Sequence, residues 1–385
     1  MSTLTAIPSS PNSSTDFVPD RTPASSPGVD ANLDLLRAFA VGLVFFGHLL
    51  YFHGSESLGP LHLNLMGALG VLLFFVHTCC VLMLSLERQT KQLHKLRFCL
   101  AFLIRRSFRI YPLSIVVVLL VAIFHLPLGT VSPGHFAGFK PDGGDLIANL
   151  FLVMNLSHRT PILGPMWSLP YEMQMYLFLP WLFLLIRPNR GLWRVAGIWV
   201  LAITAVLGWI TLRHSSSPNL ATYIPCFLPG IIAYQLQRKI QPCFSATLWA
   251  PVVVLLAGLF LCGTTEENWP IRWALCLAVG VAIPLFRRIT SPWLVISTHL
   301  VSKYSYGIYL SQFFCIWFAF EYLRHWSLPE KWTVFLVLAS GLPVFFYHLL
   351  EEPMIRLGKK IAIQYETSPS ELYSGVEMTT DSPTI

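Results

Sequence analysis

LDLLRAFAVGLVFFGHLLYF, residues 33–52, is the stretch on which the fold turns. Its length matches the ~20 residues that an α-helix needs to cross a bilayer core. It is apolar except near its start and at two ionisable positions, Arg37 and His48. The eleven-residue spacing brings these two side chains back to within ~20° of one helix face, ~16 Å apart along the axis. An ionisable pair on a spanning helix is costly and ordinarily faces a bundle interior or a wet pathway. Arginine keeps its charge, whereas histidine exchanges a proton near neutral pH. A bland reading stands beside this one, in which Arg37 snorkels to the membrane edge and His48 hydrogen-bonds a neighbouring helix.

Composition extends the reading to the whole chain. Its 385 residues are 54% hydrophobic and 12% charged, where soluble domains carry about 25% charged residues; the mean hydropathy is +0.60. Twelve Trp and 28 Pro suit a polytopic membrane protein, in which aromatics mark interfaces and Pro is tolerated within helices. The net charge of +7 does not point to nucleic acid, because Lys and Arg gather in short segments between apolar runs, the pattern that encodes topology. The eight cysteines form no metal spacing and no disulfide framework.

The sequence predicts an all-α fold, a polytopic helical bundle of about ten transmembrane helices. The spans are expected near 33–53, 67–87, 110–127, 167–186, 194–212, 222–236, 245–263, 271–286, 304–323 and 332–350. The shorter DLIANLFLVMNL (145–156) reads as a re-entrant or surface helix. Segment 88–109 holds seven Lys and Arg and no acid, whereas loop 54–66 holds neither Lys nor Arg. The positive-inside rule then places both termini in the cytoplasm, in a multi-pass protein of the cytoplasmic (inner or plasma) membrane. Residues 1–32, rich in Ser, Pro and Thr, and 361–385, polar and acidic, are expected as disordered cytoplasmic tails around a membrane domain over 33–360.

Six elements, in order, resemble the membrane acyltransferase-3 family. They are the Arg37–His48 pair introduced by Leu33-Asp34; Gly-x-x-x-Phe-Phe-Val opening GVLLFFVHTCCVLMLSLE (70–87); RRSFRIYP (105–112); MWSLPYEMQMYLFLP (166–180); SYGIYLSQ (305–312); and EEP (351–353). Two departures stand out. The family's Ser-Gly-Phe in the second helix is Thr78-Cys79-Cys80 here, preceded by His77, and its usual His after Tyr-Leu is absent, with Gln312 nearest. The resemblance implies a membrane O-acyltransferase, with His48 as the base.

Moving an acyl group from a thioester to a hydroxyl needs a proton acceptor and groups that stabilise the developing oxyanion. His48 is the candidate base. Arg37 is expected to orient the pocket or a donor phosphate, or else to pair with Asp34 at the helix start. Helical spacing lets Arg105, Arg106 and Arg109 converge on the phosphates of acyl-coenzyme A, or on lipid headgroups. Ser168, Glu172 and Tyr176 form one stripe at i, i+4 and i+8. Glu172 is open to three tasks: fixing a histidine tautomer, pairing with an arginine, or holding an acceptor's hydroxyls. Trp167 and Tyr309 are candidate substrate contacts, each with a structural alternative, as interfacial anchor or packing residue. His77 and His348 read as structural. No metal and no permanently bound cofactor are expected; acyl-coenzyme A is the co-substrate. The expected partners are a carbohydrate or lipid-linked glycan acceptor and the bilayer, without nucleic acid. The rival reading is a proton-coupled transporter of a polar or amphipathic solute, lined by Arg37, His48 and Glu172.

Overall fold

A computed structural model describes residues 30–89, 95–186, 191–213, 219–263 and 268–366. Thirteen helices account for most of them. In order they are α1 (Ala31–Phe52), α2 (Met66–Gln89), α3 (Lys95–Ile123), α4 (Gly143–Leu150), α5 (Met154–Ser157), α6 (Leu169–Ile186), α7 (Gly191–Arg213), α8 (Leu220–Gln237), α9 (Trp249–Gly263), α10 (Trp269–Ala282), α11 (Pro292–Ile316), α12 (Leu328–Phe346) and α13 (Glu352–Glu366). Two small antiparallel hairpins, Ser57–Leu58 with Leu61–His62 and Thr130–Ser132 with His135–Ala137, sit in the α1–α2 and α3–α4 connections. Turns of π-helix follow α11 at Trp317–Tyr322 and α12 at Tyr347–Glu351.

Each of the ten expected spans falls on a helix. Among the described residues, seven helical stretches are long and apolar enough to cross a membrane: 31–52, 63–89, 96–123, 164–186, 191–212, 246–263 and 328–365. Helices α8, α10 and α11 fall short in length or in apolar character, α8 because Pro225, Pro229 and polar residues interrupt it. The chain is a multi-pass membrane protein. Large apolar side chains stand exposed on α7, α9 and α12, among them Leu201, Leu212, Leu259 and Leu336, as lipid-facing helices require.

The 145–156 segment forms two short helices, α4 and α5, which pack against α3 and α6. The expected basic connection at 88–109 is largely helix, since α3 starts at Lys95 and carries RRSFRIYP within it, Pro112 included. The expected tails lie mostly outside the described residues. Where described, the chain is helical: α1 starts at Ala31, before the expected boundary, and α13 continues past Lys360 to Glu366. Helix α13 is amphipathic and packs along α3; its mixed sequence carries too many charges to read as a span.

Helices α1 and α2 run antiparallel at very close range. A Cβ on Gly47 would come within 2.8 Å of the Met66 Cβ, and one on Gly70 within 2.5 Å of the Ala40 carbonyl oxygen. Small residues permit such approach, which is how helices gain contact where lipid supplies no hydrophobic drive. At the end of the bundle that carries the basic α2–α3 connection, buried Asn32 ties three elements together. Its amide donates to the Arg287 carbonyl at 3.1 Å and accepts from the Ile289 N–H at 3.0 Å, and its carbonyl accepts from the Trp249 indole at 3.0 Å.

Candidate active site

Among the described residues, a cavity lies on each side of the Trp167–Ser168 step. The first is walled by α1, α2, α3, α6 and α11. Arg37, Arg106 and Arg109 enter it from α1 and α3, and Ser168, Glu172 and Tyr176 from the start of α6. The stripe expected at i, i+4 and i+8 therefore faces a cavity. The Tyr176 hydroxyl donates to the Glu172 carboxyl, so Glu172 is not the partner of His48. Arg37 donates to the Ser305 hydroxyl at 2.6 Å and lies 6.0 Å from the Phe74 ring centre.

Three guanidinium groups and one carboxyl thus share this wall. Arg37, Arg106 and Arg109 all act electrostatically on Glu172, leaving an excess of positive charge. The Nε of Arg106 is buried without a hydrogen-bond partner. Such an orphaned donor on a cavity wall suits an anionic ligand. Arg105 does not join them: its guanidinium turns to the Gln89 side chain at 2.6 Å, across the α2–α3 connection. The three-arginine cluster expected from α3 alone is replaced by two from α3 and one from α1. Asp34, the alternative partner for Arg37, pairs instead with His299 at 3.0 Å.

His77, read from the sequence as structural, lines the same cavity, with its Nδ1 buried and unpartnered. Tyr309 lines it too; its hydroxyl meets Ser168 at 2.8 Å and donates to the Pro165 carbonyl, pinning α11 to the entry of α6. Glu351 of the EEP element is 2% exposed and has an unpartnered Oε1.

His48 lines neither cavity, which corrects the expectation that it faces the same space as Arg37. It lies one turn of α11 beyond the first cavity. Its Nδ1 is 3.2 Å from the Gln312 Oε1, while the Gln312 amide donates to the Tyr309 carbonyl at 3.0 Å. Because that second bond orients the amide, Gln312 can only accept from His48. The network therefore assigns the imidazole proton to Nδ1 and leaves Nε2 as the basic nitrogen. Nε2 faces Gly67, where an added Cβ would lie 3.3 Å away. Phe313 closes the other side, its ring edge-on at 4.8 Å. Neither Gln312 nor Gly67 was a sequence-derived candidate for positioning the base.

The second cavity has Ala68 of α2 in its lining. Trp167, Tyr171 and Tyr223 form an aromatic wall; Asn155, Arg159 and Arg272 supply polar groups. Arg159 is held at 2.8 Å by Asp142, which caps α4. The Asp145 backbone N–H and the Arg159 guanidinium hold the Asp142 carboxyl below the usual carboxylate range. Trp167 thus faces a different space from Ser168. Among the described residues, no cluster of His, Cys, Asp or Glu could hold a metal ion.

Comparison with known proteins gives the family. Residues 30–349 match the family described as an acyltransferase domain. Acyltransferase MdmB of Streptomyces mycarofaciens is 28% identical over 367 residues, which covers 84% of this chain and 90% of MdmB. Nodulation protein 10 of Rhizobium leguminosarum bv. viciae is 25% identical over 366 residues, covering 86% of this chain and 95% of that protein. No solved structure matches the chain.

Proposed function

The chain belongs to the acyltransferase-3 family and is an acyltransferase of groups other than amino-acyl groups; from that premise, we propose that it moves an acyl group such as acetyl from cytosolic acyl-coenzyme A to a hydroxyl of a carbohydrate or lipid-linked glycan. One observation carries this reading. His48, with Nε2 left basic by Gln312, is joined through that residue to Tyr309, which lines the arginine-walled cavity.

In this reading Arg37, Arg106 and Arg109 hold donor phosphates, and the pantetheine arm reaches along α1. The ~16 Å from Arg37 to His48 is a span such an arm can bridge. The acceptor hydroxyl meets Nε2 beside Gly67. Nε2 takes the hydroxyl proton as the oxygen attacks the thioester carbonyl. The C–S bond then breaks, and the leaving thiolate receives the proton from the imidazolium. An ester and a free thiol result, and His48 returns to its starting state. Glu172, held by Tyr176, balances the arginines and keeps them in place; Ser168 and Tyr309 set the wall between the cavities. Trp167 contacts the acceptor. Arg105 has a supporting role at most, since Gln89 engages it. The basic α2–α3 connection faces the cytoplasm, with ten crossings and both termini inside, in the cytoplasmic membrane. The transporter reading gives the arginine cavity no comparable task, and family membership goes against it.

The test is donor binding and turnover in the purified protein. Each lost charged contact to phosphate should weaken binding by ~1.5–3 kcal/mol. An Arg106→Ala, Arg109→Ala double variant should therefore bind a non-hydrolysable acetyl-coenzyme A analogue at least a hundredfold more weakly than wild type, with membrane abundance unchanged. Equal affinity in the two proteins would remove the donor site and leave those arginines a topological role.

A further inference from the structure

We infer that the aromatic cavity is the acceptor's binding site and that Arg272, seated over Trp269, is the residue that recognises a hydroxylated ring there. The inference rests on the acyl-transfer reading for its purpose, and on the following geometry for its place. Arg272 is 6% exposed, although it lies on an apolar helix, and it lines the cavity directly. Its guanidinium carbon lies 5.1 Å from the Trp269 ring centre. A cation–π contact of this kind holds the guanidinium against the ring beside the cavity.

The supporting frame is equally defined. The Trp273 indole donates to the Thr222 carbonyl at 2.9 Å and locks α10 to α8. Tyr223, one turn of helix behind Asn219, packs edge-on against Trp269 at 5.1 Å and lies 4.7 Å from Tyr171 and 5.8 Å from Trp167. The result is an aromatic wall with a hydrogen-bond donor at its side. Aromatic faces accept the C–H face of a sugar ring, and a guanidinium fork donates to its oxygens. An acyl chain would use the wall but not the arginine. Donor phosphates have the other cavity, where three arginines face a single carboxyl.

Position agrees with chemistry. Ala68, on the first turn of α2, lines the aromatic cavity, whereas Arg88 stands on the last turn of α2. The intervening helix spans ~30 Å, the thickness of a hydrocarbon core. The acceptor site therefore lies at the end of the bundle away from the basic connection, the end of α2 on which Gly67 meets the His48 ring.

The probe is a photoreactive phenyl β-D-glucoside carrying a diazirine, applied to the full chain in lipid nanodiscs. Cross-links should map to peptides containing Trp167–Tyr171 or Tyr223. In Arg272→Gln the half-saturating concentration should rise about tenfold, as loss of a charged hydrogen bond implies, and Arg272→Lys should fall between. Affinity for the acetyl-coenzyme A analogue, measured on the same samples, reports whether each variant is folded. Should Arg272→Gln fail that control, Trp167→Leu takes its place, with the same expected loss of labelling. Cross-links elsewhere, or labelling indifferent to Arg272→Gln or to its substitute, would overturn the inference. A protein that binds the donor analogue but never the glycoside keeps the transfer reading and loses this site. One that takes the glycoside in this cavity but never releases coenzyme A from acetyl-coenzyme A keeps the site and loses the transfer reading.

Discussion

In the proposed transfer the chemistry at His48 depends on which ring nitrogen carries the proton, and the Gln312 carbonyl oxygen accepts from Nδ1. Replacing Gln312 by Leu removes the side-chain acceptor of the ring and leaves it the Val44 backbone as its other partner, at a cost of about 1–3 kcal/mol. The proton can then sit on Nε2, the nitrogen that must be free. We expect turnover of Gln312→Leu to fall about tenfold to a hundredfold, the kinetic equivalent of that cost, while donor affinity holds. Gln312→Glu retains an acceptor and should recover part of the loss. Rates equal to wild type in Gln312→Leu would mean that the tautomer is set elsewhere. At this scale the sequence was half legible. Arg37, His48 and Glu172 stand out because charge in an apolar run demands a partner. Gln312 stands out only as the residue nearest the family's missing histidine; its contact with His48, across 264 residues, is set by packing. Arg105 and Arg106 show the converse limit: neighbours in sequence, they point 100° apart on a helix, and only packing decides which one reaches the cavity.

Among elements, the α1–α2 seam sets where His48 stands. Gly70 opens the second-helix element, and its missing side chain lets the Ala40 carbonyl and Val44 approach. An alanine there would press on backbone, so it must push α1 away; overpacking of this kind costs typically ~1–3 kcal/mol. Gly70→Ala should lower the melting temperature in detergent and reduce turnover together. An unchanged melting temperature would show that the seam is looser than the geometry says. The α4 cap carries a pH dependence. Because the folded Asp142 carboxyl sits below its ordinary value, its contribution is full above about pH 4 and is lost as pH falls through that lowered value. Arg159 should then loosen at the cavity rim, and Asp142→Asn should show the loosened state at neutral pH, read as faster hydrogen exchange over α4 and α5. The positions of all ten expected helices were legible from apolar length alone. The start of α3 at Lys95 and the whole of α13 were not, because an amphipathic basic helix at a membrane edge resembles a charged loop when read for hydropathy.

Over the whole molecule, two cavities are separated by the entry to α6, with a basic connection at one end. This division was not legible in the sequence, which placed Trp167 and Ser168 in one substrate site; adjacent residues on the turn into α6 in fact face different spaces. The exposed cysteines offer a direct check on orientation, since Cys243 precedes α9 and Cys262 lies at its far end. A membrane-impermeant maleimide should label Cys262 in intact cells, and Cys243 only after permeabilisation; the opposite order would invert the bundle and put the arginine cavity on the wrong side for cytosolic acyl-coenzyme A. The central claim is that His48 is the general base of the proposed transfer, and it is tested most directly by one measurement. Transfer of label from [acetyl-14C]coenzyme A to the glycan fraction is followed in membranes carrying wild type or His48→Ala, with donor-analogue affinity measured on the same preparations. The account predicts a loss of transfer of about 10²- to 10⁴-fold, the contribution of a positioned general base, at unchanged donor affinity; near-normal transfer by His48→Ala would contradict it.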